Sequence, residues 1–232
     1  MNIFIATVLN GTAVLRADES WHCAKVLRKK PGDIITVIDG NGNMFTGALE
    51  IVNEKNCTVK ISTGPITQTV RNYHLHLVVA PTKQIDRIEW MLEKAVEIGL
   101  DEISFIQCRN SERTVIKTER IIKIVESAVK QSLQAFIPVV HELAPFREAV
   151  NLKADQKLIA YCGEGEKTEI RSVDFKNKST CIFIGPEGDF THEEFDLARK
   201  NNFKGLSLGS NRLRTETAGL YAVQAASLLS AL

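Results

Sequence analysis

Arg214 and Glu216 stand between a glycine loop and a helix start, in the run Leu208-Gly-Ser-Asn-Arg-Leu-Arg-Thr-Glu-Thr-Ala218. Backbone N–H groups and the helix dipole favour negative charge at such a start. An arginine there can hold an anion or an electron-rich carbonyl, and a carboxylate beside it can accept a proton. The competing reading is an ion pair of Arg214 with a neighbouring carboxylate. A second glycine turn, Gly185-Pro186-Glu187-Gly188, follows the apolar run Cys181–Ile184. Glycines let a backbone approach a ligand where a Cβ would collide. Strand ends of α/β sheets are where ligands bind. Two such loops mark a ligand site without naming the ligand.

Other reactive side chains carry weaker signals. His74 and His76 alternate on one strand face, but a third metal ligand cannot be placed, so the pair reads as structural and no metal site is assigned. Gly163-Glu-Gly-Glu-Lys-Thr168 lacks the spacer of a P-loop and the third glycine of a dinucleotide fingerprint. It reads as an exposed loop, with contact between its first residues and a ligand left open. Cys23, Cys57, Cys108, Cys162 and Cys181 are scattered and odd in number, as in reduced cytoplasmic proteins. No Gly-x-Ser-x-Gly elbow is present. Lys83, Lys94 and Glu97 fall on or beside an amphipathic helix, where a solvated face and a site contribution weigh evenly.

The elements that position these residues fall into two blocks. Residues 1–68 are β-rich, with strands over Ile3–Leu9, Asp33–Asp39, Met44–Val52 and Cys57–Thr63 and a turn at Asp39-Gly-Asn-Gly-Asn43. A short helix carrying Trp21, Ala24, Val26 and Leu27 as its apolar side interrupts them. This predicts a small barrel, with Gly64-Pro65 stopping its last strand and residues 64–73 as a linker. From 74 to 232 strands alternate with helices, the pattern of an α/β domain. Strands are expected at His74–Ala80, Glu102–Cys108, Gln156–Cys162, Ser179–Ile184 and Gly205–Leu208. Helices are expected from about Ile85 to Gly99, Thr118–Ala135, Thr191–Lys200 and Thr215–Leu229. Thr191 and Glu194 form a capping-box pattern. The Ala- and Leu-rich last helix could dock a partner subunit.

Net charge is +1, so a nucleic-acid role must rest on local patches. Lys25, Arg28, Lys29 and Lys30 form one patch, beside Trp21 and His22. Arg109 and Arg113 lie in a second basic loop. Separated cations suit phosphate binding, while solvated turns are the plain alternative. Trp21 or His22 could stack on a base, although a tryptophan is more often core. No apolar stretch reaches membrane-spanning length and no signal peptide is indicated, so a cytoplasmic protein is expected.

Ile184-Gly-Pro-Glu-Gly-Asp-Phe190, Leu208-Gly209, Leu213-Arg-Thr-Glu-Thr-Ala218, Glu93-Lys-Ala-Val-Glu-Ile-Gly-Leu100 and His22-Cys-Ala-Lys-Val-Leu-Arg28 together resemble the bacterial 16S ribosomal RNA uridine N3-methyltransferases. The resemblance spans nearly the whole chain, in order. It implies a PUA-like β-barrel, then an α/β domain of SPOUT class with a C-terminal trefoil knot, which base rates alone oppose. It implies S-adenosylmethionine as methyl donor, a 16S rRNA or small-subunit substrate, and a homodimer. By the same resemblance Tyr161, Ile184, Gly185, Glu187, Gly188, Leu208, Gly209, Ser210, Leu213 and Thr217 hold the cofactor. Arg214 and Glu216 would be catalytic, and the two basic patches would bind RNA. Three positions depart from the family pattern: Asp189 for a second glycine, Ser210-Asn211-Arg212 for Pro-Arg-Ile, and Gln134 for an arginine. Methylation of another RNA, such as tRNA, and non-catalytic RNA binding are the alternative functions.

Overall fold

The computed structural model describes residues 3–231. The chain divides into two compact units, residues 1–70 with 129–137, and residues 71–128 with 138–232.

The first unit is a closed five-stranded barrel built from β1 (Ile3–Leu9), β2 (Thr12–Leu15), β3 (Ile34–Ile38), β4 (Asn43–Ile51) and β5 (Thr58–Thr67), in the order β1-β2-β5-β4-β3. β1 closes the ring by pairing parallel with β3. Alternate residues fill the interior, among them Phe4, Ala6, Ala13, Leu15, Val37, Leu49 and Val59. The turn before β4 forms as expected: Asp39 Oδ1 accepts from the backbone N–H groups of Asn41 (2.8 Å) and Asn43 (3.1 Å). β2 was not anticipated. It is four residues long and follows the two-residue turn Asn10-Gly11, both at positive φ. Gly64-Pro65 does not stop β5. The strand continues to Thr67, paired as Met44↔Ile66 and Asn43↔Thr67 across a register shift in β4, and an irregularity of this kind tolerates proline.

The short helix α1 (Ala17–Trp21) runs into a π-helical turn over His22–Val26. The wider turn changes the angular phase of the side chains. Glu19, Ser20 and Cys23 are buried, whereas Trp21 and Val26, expected inside, are half exposed. Ser20 Oγ donates to Leu15 O and accepts from Cys57 N (2.9 Å), fastening the helix to the barrel. Residues 129–137 complete this unit: Gly42 N donates to Ala135 O (3.0 Å), Ile137 N to Gly40 O (3.0 Å), and Ala135 N to Gln68 Oε1 (2.6 Å).

Lys130 also reaches Glu19 at 2.6 Å, and the second carboxylate oxygen of Glu19 is buried without a hydrogen-bond partner. Removing the ammonium strands a buried carboxylate, which costs about 3–5 kcal/mol for a fully buried pair. The Lys130 side chain is 29% exposed. Lys130→Met is therefore expected to destabilise the barrel unit by less, about 2 kcal/mol. Urea denaturation monitored at Trp21 checks this, and the loss should be recovered in Lys130→Met/Glu19→Gln.

The second unit is a seven-stranded parallel sheet in the order β10-β12-β9-β11-β6-β7-β8. Its strands are β6 (His74–Val79), β7 (Glu102–Gln107), β8 (Val139–Pro145), β9 (Gln156–Ala160), β10 (Lys167–Glu169), β11 (Ser179–Ile184) and β12 (Lys204–Ser207). Its helices are α2 (Ile85–Ile98), α3 (Thr118–Gln131, ending in the barrel unit), α4 (Phe146–Ala149), α5 (His192–Lys200) and α6 (Thr215–Ser230). β8, β10 and α4 were not anticipated. α3 stops at Gln131 rather than Ala135, because Leu133 takes φ 58° and Gln134 N closes onto Val129 O. The Thr191–Glu194 capping box is present in both directions.

β11 inserts between β6 and β9; the chain leaves β6 toward β7 on one side and leaves β11 toward β12 on the other, which opens a crevice at the strands' carboxyl ends. After β12 the chain crosses those ends, and α6 packs against α2 and β6. Gly219 makes the close packing possible, since a Cβ there would lie 2.5 Å from Met91 Sδ. No helix among the described residues is long and apolar enough to cross a membrane.

Candidate active site

The crevice at the carboxyl ends of β9, β11 and β12 opens into a cleft of about 870 Å³. Three segments build its walls: 160–163 after β9, 184–189 after β11, and 206–216 between β12 and α6.

The 185–190 loop is held from four sides. Gly185 O accepts from Thr215 Oγ1 (2.9 Å), a buried bond that ties the first loop to the start of α6. Glu187 Oε1 accepts from Lys83 N (3.0 Å). Asn110 Nδ2 donates to Gly188 O (3.2 Å) and Asp189 O (3.0 Å). Asp189 Oδ2 accepts from Cys162 N (3.0 Å), and its Oδ1 from Phe190 N (2.8 Å). Asp189 sits at φ 63°, in the left-handed region that aspartate tolerates better than most non-glycine residues. It thus keeps the backbone form a glycine would supply and adds a carboxylate latch to the end of β9.

The 208–214 loop is looser. Gly209 has φ 116°, and nothing lies within 4 Å of where its Cβ would be. Arg214 is the residue before α6, exposed with extended backbone, and Thr215 and Glu216 open the helix. Glu216 is only 8% exposed and pairs with Arg87 Nη1 at 3.8 Å, so this carboxylate is matched to Arg87 rather than to Arg214. On the third wall Tyr161 stacks on Phe195 with ring centroids 4.3 Å apart. Burial, ahead of the adjacent Asp189 carboxylate, raises the Cys162 thiol, so the cleft's cysteine is a poor nucleophile at neutral pH.

The residues expected to hold cofactor divide accordingly. Tyr161, Ile184, Gly185, Glu187, Leu208, Gly209, Ser210 and Leu213 line the cleft, as do Arg214 and Glu216. Gly188 and Thr217 do not. Gly188 faces Asn110, whose Cβ would lie 3.1 Å from an added Cβ, and Thr217 points to solvent. Arg87, Gly163, Lys167, Asp189 and Arg212 also line it. Arg87 carried no local signal, because only the packing of α2 beside α6 brings it to Glu216. Lys167 lies in the glycine-rich stretch whose ligand contact was open.

The cations proposed for RNA are placed differently. Arg113 donates to Thr82 O (3.0 Å) and Lys83 O (2.6 Å), so its guanidinium braces the segment that also bonds Glu187. Arg109 is exposed, and its backbone N–H donates to Glu194 Oε1 (2.8 Å). In the barrel Arg28 and Lys30 are exposed and Lys29 partly so, while Lys25 pairs with Glu54 at 2.9 Å.

Substituting Asp189 by alanine should unlatch the loop from Cys162. Each charged hydrogen bond contributes about 1.5–3 kcal/mol. S-adenosylmethionine affinity is expected to fall about tenfold, at the low end of that range because the loop keeps its Glu187 and Asn110 ties. Calorimetry checks this, and Asp189→Asn should lose less.

A parallel α/β sheet with a glycine-walled cleft at its switch point, following a closed barrel, is the architecture that two family models match. The model for "RNA methyltransferase domain" matches residues 69–227, and that for "RNA methyltransferase PUA domain" matches residues 15–62. The chain is 31% identical over 229 residues to Ribosomal RNA small subunit methyltransferase E of Rickettsia conorii, covering 95% of this chain and 91% of that one. The Bacillus subtilis protein of the same name is 28% identical over 233 residues, covering 93% and 90%. Among solved structures, a probable rRNA-methyltransferase from Porphyromonas gingivalis superposes with TM-score 0.88 at 39% identity, covering 100% and 99% of the two chains. Ribosomal RNA small subunit methyltransferase E from Neisseria gonorrhoeae, bound to S-adenosyl methionine, superposes with TM-score 0.83 at 26% identity, covering 99% and 98%. The chain belongs to the ribosomal RNA small subunit methyltransferase E family.

The cleft fits the cofactor of such an enzyme. Ile184, Leu208 and Leu213 offer apolar walls, and the bare face of Gly209 leaves room that a side chain would fill. Arg87, Lys167, Arg212 and Arg214 against Glu187, Asp189 and Glu216 supply charge of both signs for a zwitterionic donor.

Proposed function

We propose that this enzyme methylates N3 of a specific uridine in 16S rRNA of the small ribosomal subunit, in the cytoplasm and as a homodimer. The barrel, residues 1–68, grips RNA, and residues 74–232 form the methyltransferase domain. The observation that carries this reading is the shared lining of the cleft. The loops suited to the donor and the pair Arg214 and Glu216 face one space.

S-adenosylmethionine, when bound, supplies a methyl group activated for in-line displacement. The chain's own task is to align the acceptor, which can supply much of the rate. Uracil N3 attacks as the anion left when its proton departs. Arg214, exposed at the rim, would donate to a uracil carbonyl and stabilise that charge. Glu216 is the nearest carboxylate in the first turn of α6, and its proton-accepting role would rest on the N3–H reaching it from the cleft. Glu187 is another carboxylate that lines the cleft. Its carboxylate already accepts from Lys83 N, which favours a structural role.

Dimerisation is supported by exposed Trp90 on α2 and exposed Tyr221 and Leu228 on α6, two helices packed side by side. RNA binding by the barrel is supported by exposed Arg28 and Lys30 beside a half-exposed Trp21 available for stacking. The double variant Arg28→Ala/Lys29→Ala is expected to weaken RNA binding and reduce the slope of log K against log[salt] by about 1.4–1.8, or 0.7–0.9 per lost phosphate contact. An unchanged slope would make the patch solvated surface.

Transfer of labelled methyl from S-adenosylmethionine to purified small subunits, to free 16S rRNA and to tRNA tests the function. Label recovered as 3-methyluridine from 16S rRNA supports it. Label confined to tRNA would support the other substrate, and RNA binding without transfer the non-catalytic reading.

A further inference from the structure

The end of the sheet opposite the cleft carries a second cluster of reactive side chains. His74 and His76 begin β6, Glu102 begins β7, and His141 is the third residue of β8. Parallel pairing sets His76 beside Glu102 and Glu102 beside Val139. Strand alternation then puts His74, His76, Glu102, Ser104 and His141 on one face. In β8, His141 and Glu142 lie opposite the single residue Ser104, between the pairs Ile103↔Val140 and Phe105↔Leu143. Such an irregularity re-aims a side chain.

His76, Glu102 and His141 have the geometry of a ligand set, and His74 stands beside the other oxygen of Glu102. Glu102 Oε2 lies 2.7 Å from His141 Nε2 and 3.8 Å from His76 Nδ1, and Oε1 lies 3.2 Å from His74 Nε2. Ligand atoms of His76, Glu102 and His141 all fall within 4.8 Å of one another. The 3.8 Å separation is too long for a hydrogen bond. It suits two donor atoms that each sit about 2.0–2.2 Å from one shared cation. His76 is buried, and its other nitrogen, Nε2, is 2.7 Å from Ser104 Oγ. An outer hydrogen bond of this kind fixes the tautomer that frees Nδ1 as a ligand.

We propose that His76, Glu102 and His141, completed by His74, bind one divalent transition-metal ion of the zinc class and staple the N-terminal ends of β6, β7 and β8. Imidazole and carboxylate donors in a four-ligand set select zinc over the oxygen-seeking alkaline-earth ions. Seating the ion opens the 2.7 Å His141–Glu102 contact by about half an ångström, well within the reach of the half-exposed His141 ring. The donor cleft at the other end of the sheet keeps its lining, so the ion is a structural element and not a participant in methyl transfer.

The test is calorimetric titration of chelator-treated, tag-free protein with zinc chloride, with the visible spectrum of the cobalt(II) form and melting temperature as companion readouts. One ion per chain, tetrahedral cobalt bands and a zinc-dependent rise in melting temperature are expected. His141→Ala and Glu102→Gln should lose all three while still binding S-adenosylmethionine, which shows that they fold. Ser104→Ala should weaken zinc about 10–100-fold. His192→Ala, an exposed histidine on α5, should change nothing. Absence of stoichiometric zinc in the unaltered protein, or binding that survives both His141→Ala and Glu102→Gln, would overturn the proposal and leave a hydrogen-bonded network.

Discussion

Arg214→Ala is expected to lower turnover by about 10²–10³-fold, the range for removing one donor to a developing anion. S-adenosylmethionine affinity should change by no more than a few-fold. The separation follows from position. Arg214 precedes α6 and is exposed at the rim, while the tie between the two loops is made by the next residue, Thr215, through Gly185. The loss should therefore fall on kcat with cofactor binding kept. Arg214→Lys restores charge without the planar fork, so it should recover only part of the rate. Equal loss of cofactor affinity and turnover would move Arg214 from the acceptor to the donor side of the cleft.

Gly209→Val is expected to weaken S-adenosylmethionine binding about 100-fold with little change in melting temperature. Two effects combine. The φ of 116° is a form that L-residues adopt at a cost of about 1–3 kcal/mol. The new side chain meets no protein atom within 4 Å of its Cβ, so its bulk goes into open space at the cleft wall. Gly209 N–H donates to Ser207 Oγ at 3.3 Å, a local and long bond, so the loop can relax without disturbing the sheet. Gly209→Ala should show the backbone cost with little of the bulk and fall between the two. Calorimetric titration with S-adenosylmethionine checks all three. Matching affinities would show that the loop does not contact the cofactor.

Much of the α/β domain could be read directly. β6 and β11 lie near the middle of a parallel sheet and end in the continuous apolar runs Leu77–Val79 and Cys181–Ile184, and the capping box announced α5. What escaped was set by distant partners. β8 sits on the sheet edge, only partly buried, so its alternation is faint. With β8 went His141, and the third ligand that His74 and His76 lacked in the sequence. Residues 129–137 read as the end of a helix, yet they belong with the barrel through the bonds of Gly40 and Gly42, about ninety positions earlier. The π-turn after Trp21 shifted the helix face in a way no regular period conveys. At the site, glycine loops and the Arg214-Thr215-Glu216 run were legible because they are local. Arg87 was not, since tertiary packing alone brings it to Glu216. Asp189 stood out as a departure. Its reason, a positive φ and a latch to Cys162, needed coordinates.

The central claim is that the cleft at the ends of β9, β11 and β12 delivers a methyl group to uridine N3 in 16S rRNA. Nucleoside mass spectrometry with position mapping tests it most directly. The RNA would come from cells lacking this protein, and from the same cells carrying the unaltered chain or Arg214→Ala. The account predicts one 3-methyluridine in 16S rRNA that is missing without the protein, restored by the unaltered chain and strongly reduced with Arg214→Ala. A 16S rRNA with identical modification in all three would contradict it.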